Sequence, residues 1–252
     1  GCRIIDSPRE RLLAVLTNNF IPCNGRFPML ISIITMFFAA GTAGGLSSFL
    51  SVAVLTLAIF LSIGMTFLVT KLLSKTLLKG VPSSFTLELP PYRRPQIGKV
   101  IVRSVFARTL FVLGRAMSVA APAGLVIWLL ANIMVSGSSL INICSDFLDP
   151  LGNLMGLDGV ILFAFILGFP ANEIVVPIIM MSYLSTGTIE GVYSLSEMQT
   201  LFVSNGWNAV TAVCFIIFTL MHWPCSTTLL TIKKETGSLK WTALAAAIPT
   251  AI

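Results

Sequence analysis

Long apolar runs alternate with short polar connections along this chain. Four runs approach the length of about 20 apolar residues that a helix needs to cross a bilayer. These runs cover roughly residues 27–45, 46–73, 117–135 and 207–232. A fifth apolar region, residues 160–184, is interrupted at residues 168–173 and again at Pro177. The pattern predicts an all-α, polytopic membrane helix bundle with broken helices.

The composition supports a membrane location. Hydrophobic residues make up 56% of the chain and charged residues only 10%, whereas soluble domains carry about 25% charged residues. A chain this apolar could not cover its surface with polar groups in water, and lipid removes that requirement. The net charge of +6 is modest, and the basic residues lie in the connections, so no nucleic-acid partner is expected.

The basic residues indicate how the connections face the membrane. They precede the first run and fill Lys71–Arg103 and Lys233–Lys240, whereas the connection after the third run carries aspartates and no base. The positive-inside rule therefore places the basic segments in the cytoplasm. Residues 160–184 must then enter and leave on the same side. We expect a re-entrant hairpin of two half-helices broken at residues 170–173, and the alternative is a Pro-kinked full span.

A Pro-rich stretch and a basic stretch connect the two parts of the chain. The prolines of residues 88–95 fix an extended path. Residues 96–115 carry bases at a spacing that keeps them near one helix face. The pattern predicts an amphipathic helix that lies at the membrane surface and leads into the third span.

Three ionisable residues lie within apolar territory, namely Arg26, Glu173 and His222. Such groups are costly in a membrane and mark a pathway or a structural pair. Glu173, at the predicted break beside Pro170 and Asn172, is our candidate oxygen ligand or proton acceptor. The alternative for Glu173 is a salt bridge to Arg26 or a capping role. His222 could bind a metal, or it could bond to the backbone.

Two Pro-Cys pairs interrupt or open apolar runs, Pro22-Cys23 and Pro224-Cys225. A proline frees a carbonyl about four residues earlier in a helix, which is near Leu220 for the second pair. A cysteine sulfur beside unpaired oxygens suits a transition metal, although a buried cysteine also serves as a small hydrophobic residue. The matching pairs indicate two similar halves, a common transporter plan. The five cysteines are too widely spaced to predict disulfides or a zinc motif, and no enzyme motif is present.

Five stretches, in order along the chain, resemble the C-terminal membrane region of FeoB-type ferrous iron transporters. They are residues 3–13, 22–28, 88–93, 172–175 and 223–225. The resemblance implies Gate segments like those of nucleoside transporters, with residues 1–80 and 120–252 as two Gate-like halves around the connecting residues 81–119. It implies Fe²⁺ as the substrate, passing near Cys23, Cys225 and Glu173. Cys2 matches the Gly-Cys of the first Gate segment, whose usual continuation is missing here.

The resemblance also implies partners beyond the lipid bilayer. These are an N-terminal domain that binds GTP and Mg²⁺, earlier membrane helices, a small cytoplasmic accessory protein and a homo-oligomer, in a prokaryotic cytoplasmic (inner) membrane. The chain starts without Met and ends in an apolar run, so we expect a piece of a larger protein. No tightly bound cofactor is expected, because sites that conduct ions must release them. The rival functions are transport of a nucleoside or another small solute, and a membrane scaffold that docks a GTPase.

Overall fold

Helices make up almost all of the computed structural model, which describes residues 2, 5–39, 45–80, 96–135, 137–184 and 194–252. The α-helices are α1 Pro8–Thr17, α2 Arg26–Ile34, α3 Gly45–Thr76, α4 Ile97–Ser104, α5 Phe111–Asn132, α6 Leu140–Leu154, α7 Gly159–Leu167, α8 Val175–Leu184, α9 Leu195–Ser204, α10 Ala209–Met221, α11 Ser226–Thr236 and α12 Leu239–Ala251. Short 3₁₀ turns lie at Asn18–Phe20 and Asn172–Ile174, and π turns at Thr35–Ala39 and Val105–Leu110. The strands β1 Met134–Val135 and β2 Ser138–Ser139 form one antiparallel pair. The predicted all-α class is confirmed.

Two stretches of the described chain are long and apolar enough to cross a membrane, Ser48–Thr76 and Ala209–Thr236. Large apolar side chains of α3, such as Phe49, Phe60 and Phe67, are exposed, as expected for a helix surrounded by lipid. The pair α6 and α7, bent by 110° at a short break, provides a third candidate span. These two candidate spans agree with the second and fourth apolar runs predicted from the sequence.

The first predicted span differs from the structure. The described helix there runs Arg26–Ala39 and is a shorter apolar helix. At about 1.5 Å per residue, its nine α-helical and five π-helical residues reach only part of the way across a bilayer of about 30 Å. Its side chains are largely buried in protein. Residues 40–44 and the Pro-rich residues 88–95 lie outside the described part of the chain.

The prediction of an outer connection after the third run is wrong for residues 140–154. These residues form helix α6. Ser139 accepts a hydrogen bond from the Asn142 amide and caps the start of α6. Helix α6 then turns back sharply onto α7. A Cβ atom at Gly159 would collide with the Ser145 carbonyl oxygen, so glycine permits the close approach of the two helices.

The predicted break in residues 160–184 is confirmed. Helices α7 and α8, of nine and ten residues, flank it and pack against each other. Gly168 sits so close to the Val175 side chain that a Cβ would overlap it. Pro177 does not make a second break, because it occupies the first turn of α8, where proline is tolerated.

Two apolar cores hold the helices together. The larger core joins α2, α7, α8 and α10, and the smaller joins α1, α3, α11 and α12. Met221, the last residue of α10, packs against both. The chain segments around residues 21–26 and 222–225 lie where one core gives way to the other. The helices α4 and α5, with the π turn between them, continue from the predicted basic helix. The apolar part, Met117–Asn132, is a shorter apolar helix than the third predicted span.

Candidate site where three helix breaks meet

Three interruptions of helical structure converge at one place in the molecule. They are residues 21–25 before α2, residues 168–171 after α7, and residues 222–225 between α10 and α11. The Ser226 amide donates to the Phe169 carbonyl at 2.9 Å, and the Ser226 hydroxyl lies 3.4 Å from the Pro170 carbonyl. The Asn19 amide nitrogen donates to the His222 carbonyl at 3.3 Å. Each break is thus tied to another by hydrogen bonds.

Arg26 fills the centre of this convergence. It is only 2% exposed. Its guanidinium donates to the carbonyls of Asn19 at 2.9 Å, His222 at 3.2 Å, Trp223 at 3.3 Å and Leu220 at 3.4 Å. Proline at position 224 breaks the helix after α10 and frees a carbonyl near Leu220, as predicted. The expectation that this carbonyl remains unpaired is wrong, because Arg26 occupies it. Arg26 therefore bonds to main-chain oxygens. The four partners found in the described part of the chain are carbonyls, and Glu173 is not among them.

A small cavity of about 150 Å³ lies against Arg26. Both predicted cysteines, Cys23 and Cys225, line it, together with Asn172 and Thr228. The structure therefore brings together two sulfurs from opposite ends of the chain. In the part of the chain that is described, no group of three or more His, Cys, Asp or Glu side chains could hold a metal ion. The side-chain ligand atoms available at the cavity are two sulfurs, the amides of Asn18, Asn19 and Asn172, and the Thr228 hydroxyl.

The two sulfurs have different surroundings. Cys225 directly precedes α11, and its sulfur lies 3.1 Å from the Thr227 hydroxyl and 3.2 Å from the Thr228 hydroxyl. Cys23 is exposed, and the Asn172 amide nitrogen lies 4.0 Å from its sulfur. Cysteine sulfur suits borderline and softer transition-metal ions, while amide oxygen suits harder ones. The cavity therefore offers a mixed donor set.

The His222 ring bonds to backbone carbonyls, which was one of its two predicted alternatives. It is buried, and its Nδ1 lies 2.9 Å from the Thr219 carbonyl and 3.1 Å from the Phe218 carbonyl. Both partners are acceptors, so Nδ1 carries the proton, and Nε2 of a neutral ring is an acceptor. The Asn172 amide, 3.4 Å from Nε2, meets that need when its nitrogen faces the ring. This assignment exchanges the two amide atoms of the structure, in which Oδ1 lies nearest Nε2 and Nδ2 lies 4.0 Å from the Cys23 sulfur. After the exchange, the Asn172 oxygen faces Cys23.

The remaining predicted residues lie around this centre. Glu173 is exposed and packs over Gly25, where a Cβ would lie 3.2 Å from its Oε1 atom. Glu173 is therefore beside the first break and does not line the small cavity. Cys2 lines a different cavity of about 410 Å³, which shares Asn18, Asn19 and Thr228 with the small one.

Sequence reasoning missed Asn19 and Thr228, which line the small cavity and bond to its walls. The signals in the sequence were weak, namely an Asn pair before Phe20 and two threonines after Cys225. It also missed a hydrogen-bonded chain away from the breaks. There the Trp207 indole donates to Tyr183 at 2.7 Å, and the Tyr183 hydroxyl donates to Asp158.

The apolar helices and the similarity to membrane transporters indicate a multi-pass membrane protein. Residues 51–239 match the family model Gate, described as nucleoside recognition, and the chain belongs to this family. "Fe(2+) transporter FeoB" of Staphylococcus aureus (strain COL) is 32% identical to it, over 99% of this chain and 36% of the relative. Proteins of the same name from Methanocaldococcus jannaschii and Leptospira interrogans are 28% and 27% identical, over 96% of this chain and 36% and 37% of the relatives.

These similarities confirm the resemblance to FeoB-type transporters that the sequence motifs indicated. The chain spans just over a third of the length of these relatives. No solved structure matches the chain significantly.

Proposed function

We propose that this chain is the metal-conducting membrane region of a ferrous iron uptake transporter. The observation that carries the proposal is the shared cavity of Cys23 and Cys225. Two Pro-Cys breaks that are remote in sequence would have no reason to face one cavity if each cysteine only filled space. The relatives that are similar over nearly the whole chain carry the name Fe(2+) transporter, which supports the choice of ion.

The donor set favours a transition metal over a hard cation. Mg²⁺ and Ca²⁺ require several oxygen ligands, and Arg26 occupies the carbonyls beside the Pro224 break. Two sulfurs remain, beside the amides of Asn18, Asn19 and Asn172 and the Thr228 hydroxyl. Sulfur ligands suit Fe²⁺ and its first-row neighbours.

Glu173 provides the negative charge beside the breaks. Its exposed carboxylate stands over Gly25, next to Cys23. A carboxylate there would attract a hydrated cation and replace part of its water before the cysteines are reached. In this scheme Fe²⁺ meets Glu173 first and the sulfur-lined cavity second.

The rest of the machinery is a proposal for the full-length parent protein. We expect a GTP-binding domain, further membrane helices and residence in the cytoplasmic membrane. The basic segments Lys71–Arg103 and Lys233–Lys240 would face the cytoplasm. Helices α1, α11 and α12 would then form the inner end of this region.

The test is anaerobic Fe²⁺ uptake by cells that lack other ferrous iron importers and carry the full-length parent. Variants Cys23→Ser, Cys225→Ser and Glu173→Gln are compared at equal membrane levels, with Cys144→Ser on α6 as the matched control. Cys144 does not line the small cavity. We expect uptake to fall at least about tenfold in the three site variants, because each loses a ligand, and to stay normal in the control. Normal uptake in all three would leave a scaffold role.

The family description favours one second candidate, transport of a nucleoside. Binding sites for small organic molecules usually measure about 300–1,000 Å³. The cavity at the breaks, at about 150 Å³, is too small for such a solute. Uptake of a labelled nucleoside by the same cells, dependent on the parent protein and unaffected by the cysteine changes, would favour this candidate over iron.

A further inference from the structure

A second cavity adjoins the breaks on the side of the smaller core. It measures about 410 Å³ and lies among α1, α11 and α12. Residues Asn18, Asn19 and Thr228 line both cavities. The two spaces therefore share a wall that runs from the cysteines toward the far end of α11.

Polar side chains form a row along the wall that α11 contributes. Cys225, Thr228, Thr231 and Glu235 follow one another at intervals of three or four residues, so they lie on one face of the helix. Exposure increases along the row, because Cys225 and Thr228 are half-buried while Thr231 and Glu235 are exposed. The larger cavity therefore opens at the Glu235 end, next to basic residues of the Lys233–Lys240 segment.

Thr228 stands between the two cavities. Its hydroxyl is 3.2 Å from the Cys225 sulfur, and it lines both spaces. The neighbouring Thr227 hydroxyl is as close to the sulfur, at 3.1 Å, but Thr227 lines neither cavity. The two threonines therefore differ in position while making the same contact.

We infer that the larger cavity, which we call the inner vestibule, is the route by which a hydrated divalent transition-metal cation leaves the cysteines for the cytoplasm, with Thr228 at its threshold. This inference rests on the proposed function. Hydroxyl and amide oxygens replace part of the water of the ion without holding it, which conduction requires. Among the described lining residues, the charged side chains are Arg11 and Glu235. Both are exposed at the mouth, so no carboxylate traps the ion inside.

The first experiment compares Thr228→Val with Thr227→Val in the full-length parent. Anaerobic Fe²⁺ uptake is measured in cells, and Co²⁺ binding to the purified protein is followed by its thiolate-to-metal absorption. We expect Thr228→Val to lower uptake about tenfold, the effect of losing one polar contact to an ion, with the absorption retained. Thr227→Val, which loses the same contact with the sulfur but no cavity wall, is the matched control, and its uptake should exceed that of Thr228→Val several-fold. Equal uptake in the two variants, or loss of the absorption in Thr228→Val alone, would overturn the inference.

A second experiment does not depend on iron transport. Thr231→Cys and Leu230→Cys are made in the full-length parent and treated with a membrane-impermeant maleimide in inside-out vesicles, and labelled peptides are identified by mass. We expect rapid labelling of Thr231→Cys that Co²⁺ slows several-fold. Leu230 does not line the vestibule, so Co²⁺ should leave its labelling unchanged. An unlabelled Thr231→Cys would overturn the vestibule. No Fe²⁺ uptake by the unaltered parent, with labelling as expected, would overturn the proposed function and the identity of the ion but not the water-filled route.

Discussion

The two Pro-Cys breaks share a dipeptide and differ in what surrounds it. Pro224-Cys225 interrupts the candidate span Ala209–Thr236, and two threonine hydroxyls hold its half-buried sulfur. Pro22-Cys23 follows a 3₁₀ turn and leads into α2, and the Asn172 amide nitrogen lies 4.0 Å from its exposed sulfur. The dipeptide sets the local backbone, whereas tertiary contacts decide how firmly each sulfur is held. We regard Cys225 as the fixed side of the cavity and Cys23 as the adaptable side.

Arg26 joins the two breaks, so its loss should have the largest effect. Arg26→Leu leaves the carbonyls of Asn19, Leu220 and Trp223 without this donor. An unsatisfied buried group costs about 1–3 kcal/mol, so we expect a loss of at least about 3 kcal/mol in unfolding free energy. Thermal unfolding of the full-length parent in detergent would show this as a lower Tm or failed accumulation. Lys71→Leu, an exposed base on α3, is the control, and equal stability of the two variants would contradict the role of Arg26.

The two prolines provide the next comparison. Pro224→Ala restores an amide between α10 and α11 and removes the steric cause of the break, which is worth about 3 kcal/mol in a helix. We expect the variant to displace Cys225 and weaken Co²⁺ binding at the cavity at least about tenfold. Pro22 lies outside a helix, so Pro22→Ala should change binding less than about threefold. Titrations of both variants that gave the same affinity would show that the two breaks are equivalent.

Thiol reactivity should distinguish the adaptable side from the fixed side directly. An exposed cysteine reacts faster than one that is half-buried and hydrogen-bonded. We expect Cys23 to be alkylated about tenfold faster than Cys225 in the full-length protein at neutral pH. Peptide mass analysis over a time course measures both rates in one sample. Thr227→Val and Thr228→Val together should reduce the difference, and faster reaction of Cys225 in the unaltered protein would reverse our assignment.

The breaks were predictable from sequence, but their shared contents were not. Pro170 and Pro224 interrupt apolar runs, and that local signal predicted the ends of α7 and α10. The four carbonyl partners of Arg26 and the position of Thr228 depend on contacts between remote segments, which no local pattern encodes. Helix α6 was missed because Asp146, Asp149 and Pro150 interrupt its apolar pattern.

The N-terminus of α9 is capped by side chains, whereas the N-termini of the two helices that follow the Pro-Cys breaks are not. Gly25 and Cys225, which precede α2 and α11, give no side-chain cap. The first amides there donate to backbone carbonyls instead, Arg26 and Phe27 to Cys23 and Ser226 to Phe169. Ser194 and Glu197 instead form a capping box at α9. Hydrogen bonds from the Ser194 backbone and hydroxyl lower the pKa of the Glu197 carboxyl below its ordinary value. The charged form is thus favoured in the folded protein.

This comparison predicts a small pH effect that is confined to α9. Because the folded-state pKa is depressed, the contribution of Glu197 is present above its ordinary pKa and is lost as the pH falls through the lowered value. Hydrogen exchange of the α9 amides, corrected for intrinsic rates, should show protection that declines at acidic pH in the unaltered protein. In Glu197→Gln this decline should be absent. The start of α11 should show no such decline in either protein, since no carboxylate caps it. An equal loss of protection at the start of α11 would mean that acid destabilises both helices. The difference between capped and uncapped helix starts would then not explain the result.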